Sequence, residues 1–146
     1  MEGLLKFAYD PEKFREQGHQ LIDLLANHLQ TCFDDNGTKV TLWKEPEDQL
    51  AYWKSYQSDS KNPLPLFREI LKRSIHIHHP RYIGHQICPT LPVSALSAIL
   101  SALLNNGMAI YEMGSASTAI EKVVCDFFLQ QVGYPKTGDA LLTSGG

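Results

Sequence analysis

The stretch Asp139-Ala140-Leu141-Leu142-Thr143-Ser144-Gly145-Gly146 places a short apolar run directly before a hydroxyl residue and two glycines. Residues 139 to 143 are typical of a short buried strand. Glycines after a strand let backbone amides approach an anion closely, and such loops often hold a phosphate. Taken alone, the pattern is more typical of an ordinary turn. The rest of the chain therefore decides between the two interpretations.

The first half of the chain predicts helices joined by turns. Asp10-Pro11 is a typical helix start, because a short acceptor precedes a proline at the first helical position. We expect this helix to end near Cys32, before a turn at residues 34–37. Pro46 opens a shorter helix, and residues 66–77 predict a third. The apolar stripe of the first helix consists of Phe14, Gly18, Leu21, Ile22, Leu25 and Leu29.

These helices leave aromatic residues such as Trp43 and Trp53 with little partner surface. We therefore expect residues 1–78 to form an N-terminal helical arm that packs on another chain or domain.

The second half begins with an irregular stretch at residues 78–91, which predicts a long structured loop, a common location for sites. A helix should follow from Pro92 to a stop at Gly107. It has no charged residue from Pro92 to Asn106, so we expect burial on nearly all sides. A last helix should end at Gly133, capped by Thr118 with Glu121, or by Ser115 or Ser117.

Composition excludes several classes of function. The 146 residues carry 13 Lys and Arg against 16 Asp and Glu, a net charge of −3 that disfavours nucleic acid and anionic membranes as partners. No apolar run is long enough to span a membrane, and the N-terminus lacks the basic and apolar regions of a signal peptide, so we expect a cytoplasmic protein. The three cysteines are odd in number, which favours reduced thiols.

Histidines near the middle of the chain suggest a zinc site, but their spacing lacks paired ligand gaps, and we predict no metal. His19 and His28 are expected to be solvated helix positions. No nucleophile elbow or catalytic triad order is present, which disfavours a hydrolase. The zinc hypothesis would use His76, His78, His79, His85 and Cys88.

Several blocks together resemble the group II pyridoxal-phosphate-dependent amino-acid decarboxylases, in the order and spacing of their N-terminal third. That family includes aromatic-amino-acid, glutamate, histidine and diaminobutyrate decarboxylases. The resemblance is dense from about Leu66 onwards. The matching blocks are His79-Pro80-Arg81-Tyr82-Ile83-Gly84-His85, Leu91-Pro92, residues 105–113, residues 116–121, Gly133-Tyr134 and Thr143-Ser144-Gly145-Gly146.

The resemblance implies a mainly α fragment: the helical arm, then at residues 79–146 the start of a fold type I pyridoxal-phosphate-dependent transferase α/β domain. It implies an obligate homodimer, an amino-acid substrate and the cofactor pyridoxal 5'-phosphate. His85 is placed nearest the substrate, with Gln86 and Tyr82 as weaker candidates, and Ala109 reaches the pocket of the other subunit. The cofactor-phosphate residues are Ser144, Gly145 and Gly146.

In that family the lysine that binds the cofactor covalently lies well beyond the position of Gly146, and no lysine here matches it. The resemblance thus implies a carboxy-lyase parent, with no catalytic residue in these 146 residues and no activity of the chain alone. An alternative is a stand-alone helical dimerisation or interaction module without catalysis. A reading frame that continues past Gly146 would favour the enzyme, and a stop codon there would favour the module.

Overall fold

The computed structural model describes residues 2–34 and 39–143, which form helices joined by turns and irregular loops. No strand occurs in these ranges, which confirms a mainly α chain; the start of an α/β domain stays a prediction. The six α-helices and one 3₁₀ turn are α1 Glu2–Ala8, α2 Pro11–Asp34, α3 Pro46–Ser55, α4 Leu64–Arg73, α5 Pro92–Leu104, the 3₁₀ turn Tyr111–Met113, and α6 Ser115–Gln131.

The chain divides into two compact units, the N-terminal unit Met1–Thr90 and the C-terminal unit Leu91–Gly146. The expected division into an arm at 1–78 and a large domain from 79 stays a prediction. No helix in the described part of the chain is long and apolar enough to cross a membrane.

In the N-terminal unit, α2 begins where the sequence predicts. Asp10 Oδ1 accepts a hydrogen bond from the Glu12 amide at 2.9 Å and so caps the first turn. The helix packs against α4, with Cys32 fully buried on it. Helix α4 ends at Arg73, earlier than predicted, because Ser74 is extended and its hydroxyl bonds back to the Ile70 carbonyl. Helix α1 is not predicted by the sequence analysis.

A polar cluster on Arg73 joins α3 to α4. The Arg73 guanidinium lies 3.2 Å from the centroid of the Tyr52 ring, and it also contacts Glu69 at 3.4 Å and Gln49 at 3.3 Å. Tyr52 donates its hydroxyl hydrogen to the same Glu69 carboxylate at 2.8 Å. This bond is the main reason why the pKa of Glu69 is lowered and that of Tyr52 raised. The cluster positions two short helices that bury little apolar surface.

In the C-terminal unit, α5 is exposed along its whole length. We expected α5 to be buried on nearly all sides, but no other part of the described chain covers it. The helix ends at Leu104, and Asn105 directly after it takes the left-handed conformation at φ 47°, so the predicted stop at Gly107 is wrong. Asparagine adopts this conformation more readily than most residues, which makes it a good helix end.

The predicted capping of α6 is also wrong. The helix begins at Ser115 after Gly114, and no side chain caps its first amides. Thr118 instead donates its hydroxyl hydrogen to the Gly114 carbonyl at 2.9 Å, so it lies one turn inside the helix. The end of the helix is confirmed, because Gly133 adopts a positive φ of 76° just beyond it.

The short buried strand predicted at residues 139–143 is wrong. These residues have no regular secondary structure and are exposed, Leu141 by 74 %. A strand needs a neighbour to satisfy its backbone hydrogen bonds, and no other strand exists in the described ranges.

Candidate functional site

The loop after α4 is built on one buried histidine. His79 is only 3 % exposed, and its Nδ1 accepts a hydrogen bond from the Arg81 amide at 3.1 Å. The backbone turns tightly around it, since the His79 amide bonds to the His76 carbonyl and the Tyr82 amide bonds to the His79 carbonyl. The sequence therefore predicts the irregular loop correctly, and His79 anchors it.

Tyr82 packs against the glycine that precedes His85. A Cβ added at Gly84 would lie 3.4 Å from the Tyr82 hydroxyl oxygen, at van der Waals contact, so the phenol lies directly beside this glycine. The hydroxyl is buried and has no hydrogen-bond partner within the described residues. Tyr82 is thus held close to the backbone that leads into His85.

His85 and Gln86 lie on the exposed part of the same loop. Within the described residues, these two residues make a single hydrogen bond, in which the Ile87 amide donates to the His85 carbonyl at 2.6 Å. Ile83 beside them is 96 % exposed. Both predicted substrate-binding side chains are therefore accessible to a ligand.

Ala109, the fourth predicted substrate-binding residue, lies in the C-terminal unit between α5 and the 3₁₀ turn and is exposed. The segment around it is fixed by a close backbone approach. A Cβ on Gly114 would lie 2.6 Å from the Gly107 carbonyl oxygen, so only glycine fits. Gly114 is a positioning residue that the sequence analysis missed, although the Met-Gly-Ser turn before α6 could have indicated it.

The predicted cofactor-phosphate residues Ser144, Gly145 and Gly146 lie outside the described residues. The chain that leads to them is attached to α6. Glu121 accepts a hydrogen bond from the Leu142 amide at 3.0 Å, and Lys122 contacts Asp139 at 2.7 Å. The Lys122 contact lowers the pKa of Asp139, so this pair is ionised at neutral pH.

Two of the histidines, His28 and His76, contact each other and not a metal site of the kind considered above. The rings of His28 and His76 meet edge to face with their centroids 4.8 Å apart, and His28 Nε2 lies 3.7 Å from Cys32 Sγ. His28 is half-buried, so its expected position in solvent is wrong, while His19 is exposed as predicted. Among the described residues, no group of three or more metal-ligand side chains is arranged to hold a metal ion.

Comparison with known proteins gives relatives along most of the chain. No family model matches. An L-2,4-diaminobutyrate decarboxylase of Acinetobacter baumannii is 32 % identical over 76 residues, which is 52 % of this chain and 15 % of the relative. An acidic amino acid decarboxylase of Xenopus tropicalis is 25 % identical over 139 residues, 92 % of this chain and 26 % of the relative.

An aromatic-L-amino-acid decarboxylase of Bacillus atrophaeus is 20 % identical over 139 residues, 92 % of this chain and 28 % of the relative. The resemblance to amino-acid decarboxylases is confirmed. The chain spans only between 15 % and 28 % of the length of these three relatives.

Proposed function

We propose that this chain is the N-terminal part of a pyridoxal-phosphate-dependent amino-acid decarboxylase. The observation that carries the proposal is the similarity to decarboxylases over 92 % of the chain, with relatives of which the match covers only 26 % and 28 %. The chain would supply part of the substrate pocket, the dimer interface and the start of the cofactor-phosphate loop. Carboxy-lyase activity would belong to the longer protein, and the 146 residues alone would be inactive.

The proposed cofactor-phosphate residues are Ser144, Gly145 and Gly146. One hydroxyl and the amides of two glycines form a donor set that fits a phosphate dianion chemically. The attachment of Leu142 to Glu121 supports this assignment, because it fixes the backbone just before the loop. When bound, pyridoxal phosphate supplies the electron sink that makes loss of the substrate carboxylate possible. The contribution of this chain would be to hold the anionic end of the cofactor.

The substrate pocket would use the loop anchored by His79. The exposed His85 imidazole can exchange hydrogen bonds with a substrate, and the neighbouring Gln86 amide can both donate and accept. Tyr82 would hold the backbone of this loop through its contact with Gly84. Ala109 would leave room for the substrate side chain because its own is a single methyl group.

The dimer interface would include α5. Its apolar side chains are exposed, with Leu103 at 65 % and Val93 at 63 %, and no charged residue interrupts them. Exposed apolar surface without charge is unusual in a monomer and is covered in a stable assembly.

The proposal is tested by release of carbon dioxide from L-amino acids in the presence of pyridoxal phosphate. The longer protein should be active, and the 146-residue chain should release none. In the longer protein, His85→Ala should lower kcat/KM about tenfold or more, as expected for the loss of a hydrogen bond to an ionic substrate. His19→Ala, at an exposed position on α2, is the matched control and should leave kcat/KM unchanged.

Release of carbon dioxide by the 146 residues alone would contradict their proposed inactivity. Equal activities of His85→Ala and the unchanged enzyme would remove His85 from the pocket. An inactive longer protein would contradict the proposed carboxy-lyase activity.

A further inference from the structure

A cleft in the N-terminal unit lies apart from all of the residues discussed as substrate or cofactor ligands. It has a volume of about 570 Å³, within the range of small-molecule sites. The segment before α3 forms one part of its lining and the end of α4 the other, and the His76 amide bonds to the Val40 carbonyl at 2.8 Å beside it. The lining residues are Lys39, Thr41, Leu42, Trp43, Lys44, Lys72 and Arg73.

Four of these seven lining residues are cationic, although the chain as a whole has a net charge of −3. Arg73 is occupied by Glu69, Gln49 and the Tyr52 ring, as described above. Lys72 is 3.9 Å from Glu69, and its side chain is 65 % exposed. The carboxylates beside this lining are Glu69 and, through its hydrogen bond with the Trp43 indole, Glu45, so four cations face two anions and the cleft keeps a local excess of positive charge.

The cations at the end of α4 have a structural explanation, but those before α3 do not. Lys72 and Arg73 lie in the last turn of α4, where they offset the negative end of the helix dipole. Lys39 and Lys44 lie outside any helix, and neither makes an ion pair within the described residues. Their exposed positive charges therefore add to the attraction of the cleft for an anion.

Trp43 adds a flat apolar surface beside the lysines. It is 72 % exposed, and its Nε1 donates a hydrogen bond to Glu45 at 3.3 Å. An indole next to ammonium groups suits a ligand that joins a planar ring to an anion. The Thr41 hydroxyl adds a donor to the same lining.

We propose that this cleft binds a small diphosphate anion, either inorganic or as part of a nucleotide. Two adjacent phosphoryl groups provide enough charge for more than one lysine, which a single carboxylate does not. The proposal is independent of the decarboxylase assignment, and the predicted cofactor-phosphate residues belong to the other unit.

The test is calorimetric titration of the 146-residue chain with inorganic pyrophosphate and, separately, with adenosine diphosphate, in about 50 mM salt, where surface charges are only weakly screened. Saturable binding by either anion is expected, and its affinity should fall as the salt concentration rises. Tighter binding of the nucleotide, with quenching of tryptophan emission that Trp43→Phe removes, would identify the nucleotide as the ligand class. Equal affinities would identify the inorganic anion.

Variants then locate the site. Lys44→Glu should weaken binding about tenfold, because it replaces an attractive charge by a repulsive one in the cleft. Lys54→Glu makes the same charge change at an exposed position on α3 outside the cleft, and it should leave the affinity unchanged. Circular dichroism of both variants shows whether they retain their helices.

The proposal is overturned if neither anion produces saturable heat up to about 5 mM. It is also overturned if a folded Lys44→Glu binds normally, or if Lys54→Glu weakens binding as much as Lys44→Glu does. In all these cases carbon dioxide release by the longer protein would be unaffected, so the two proposals fail separately.

Discussion

The two compact units reach their structures in different ways. In the N-terminal unit, side chains link elements that are distant in sequence, as in the bonds from Gln17 to the Lys61 carbonyl and from Tyr52 to Glu69. In the C-terminal unit, α6 holds the chain that follows it, whereas α5 exposes its apolar side chains. The N-terminal unit is therefore held together by specific polar contacts between its elements, whereas α5 leaves apolar side chains exposed, and we propose that other protein covers them.

Cysteine reactivity should show the largest effect, and the two buried thiols, Cys32 and Cys125, compare the two units. Cys88 is exposed, whereas Cys32 and Cys125 are buried, one in each unit. Burial also raises the pKa of the Cys32 thiol, which lowers its reactive thiolate fraction. We expect a disulfide reagent to label Cys88 about a thousandfold faster than Cys32, because labelling of Cys32 requires local opening. Cys125 should react at an intermediate rate.

The labelling order is measured by mass spectrometry of peptides from timed samples, with the urea-unfolded chain as the control in which all three thiols should react alike. Faster reaction of Cys32 than of Cys125 would contradict the expectation that the N-terminal unit protects its buried thiol better than the C-terminal unit does.

Self-association through α5 should show the next largest effect. Replacing Leu96 and Leu100 by Glu should weaken association by at least about a hundredfold, because burial of each leucine contributes about 1.5–3 kcal/mol. Sedimentation velocity over a range of concentrations measures the change. Leu50→Glu is the matched control: Leu50 is similarly exposed but lies in α3 of the other unit. A chain that is monomeric at high concentration, or a control that dissociates equally, would contradict this role of α5.

The polar cluster of the N-terminal unit should contribute a smaller but measurable stability. Arg73→Ala should lower the free energy of unfolding by about 1 kcal/mol, since it removes a cation–π contact and the link between α3 and α4. The change in the free energy of unfolding is measured by urea unfolding followed by tryptophan emission, because Trp53 lies on α3. Arg68→Ala, at an exposed position of α4, should leave the unfolding midpoint in place. Equal effects of the two variants would show that the polar cluster on Arg73 does not contribute specifically to stability.

The histidine cluster should give the smallest effect, a dependence of stability on pH. Burial lowers the pKa of His28 below its usual value of 6.5, and His76 and His78 add to the shift. The folded N-terminal unit thus favours neutral His28, so its stability is complete above pH 6.5 and is lost as the pH falls through the lowered pKa. Thermal unfolding between neutral and mildly acidic pH measures the loss.

His28→Gln should reduce this pH dependence, because glutamine does not titrate. His19→Gln changes an exposed histidine of the same helix and should preserve it. A pH dependence that survives in His28→Gln would place its origin elsewhere.

The sequence predicts what depends on local chemistry. The start of α2 follows from Asp10 and Pro11, and the end of α6 from Gly133, because each residue acts on the backbone beside it. The loop at residues 78–91 follows in the same way from its prolines and glycine. Features that depend on residues distant in sequence are missed, such as the edge-to-face contact between His28 and His76.

The predicted strand at 139–143 fails for a related reason. The apolar pattern describes a segment suited to a sheet, but a single segment cannot satisfy its own backbone hydrogen bonds. Of the candidate site, the accessibility of His85 and Gln86 agrees with a binding role, but their assignment to a substrate pocket rests on resemblance. The packing of Tyr82 against Gly84 could be found only from coordinates.

The most direct test of the central claim is the nucleotide sequence that follows the codon for Gly146. We predict an open frame that continues with a small hydroxyl residue and an asparagine and reaches a His-Lys pair far downstream, where the cofactor would be held covalently. A stop codon immediately after Gly146 would contradict the claim and leave a helical interaction module.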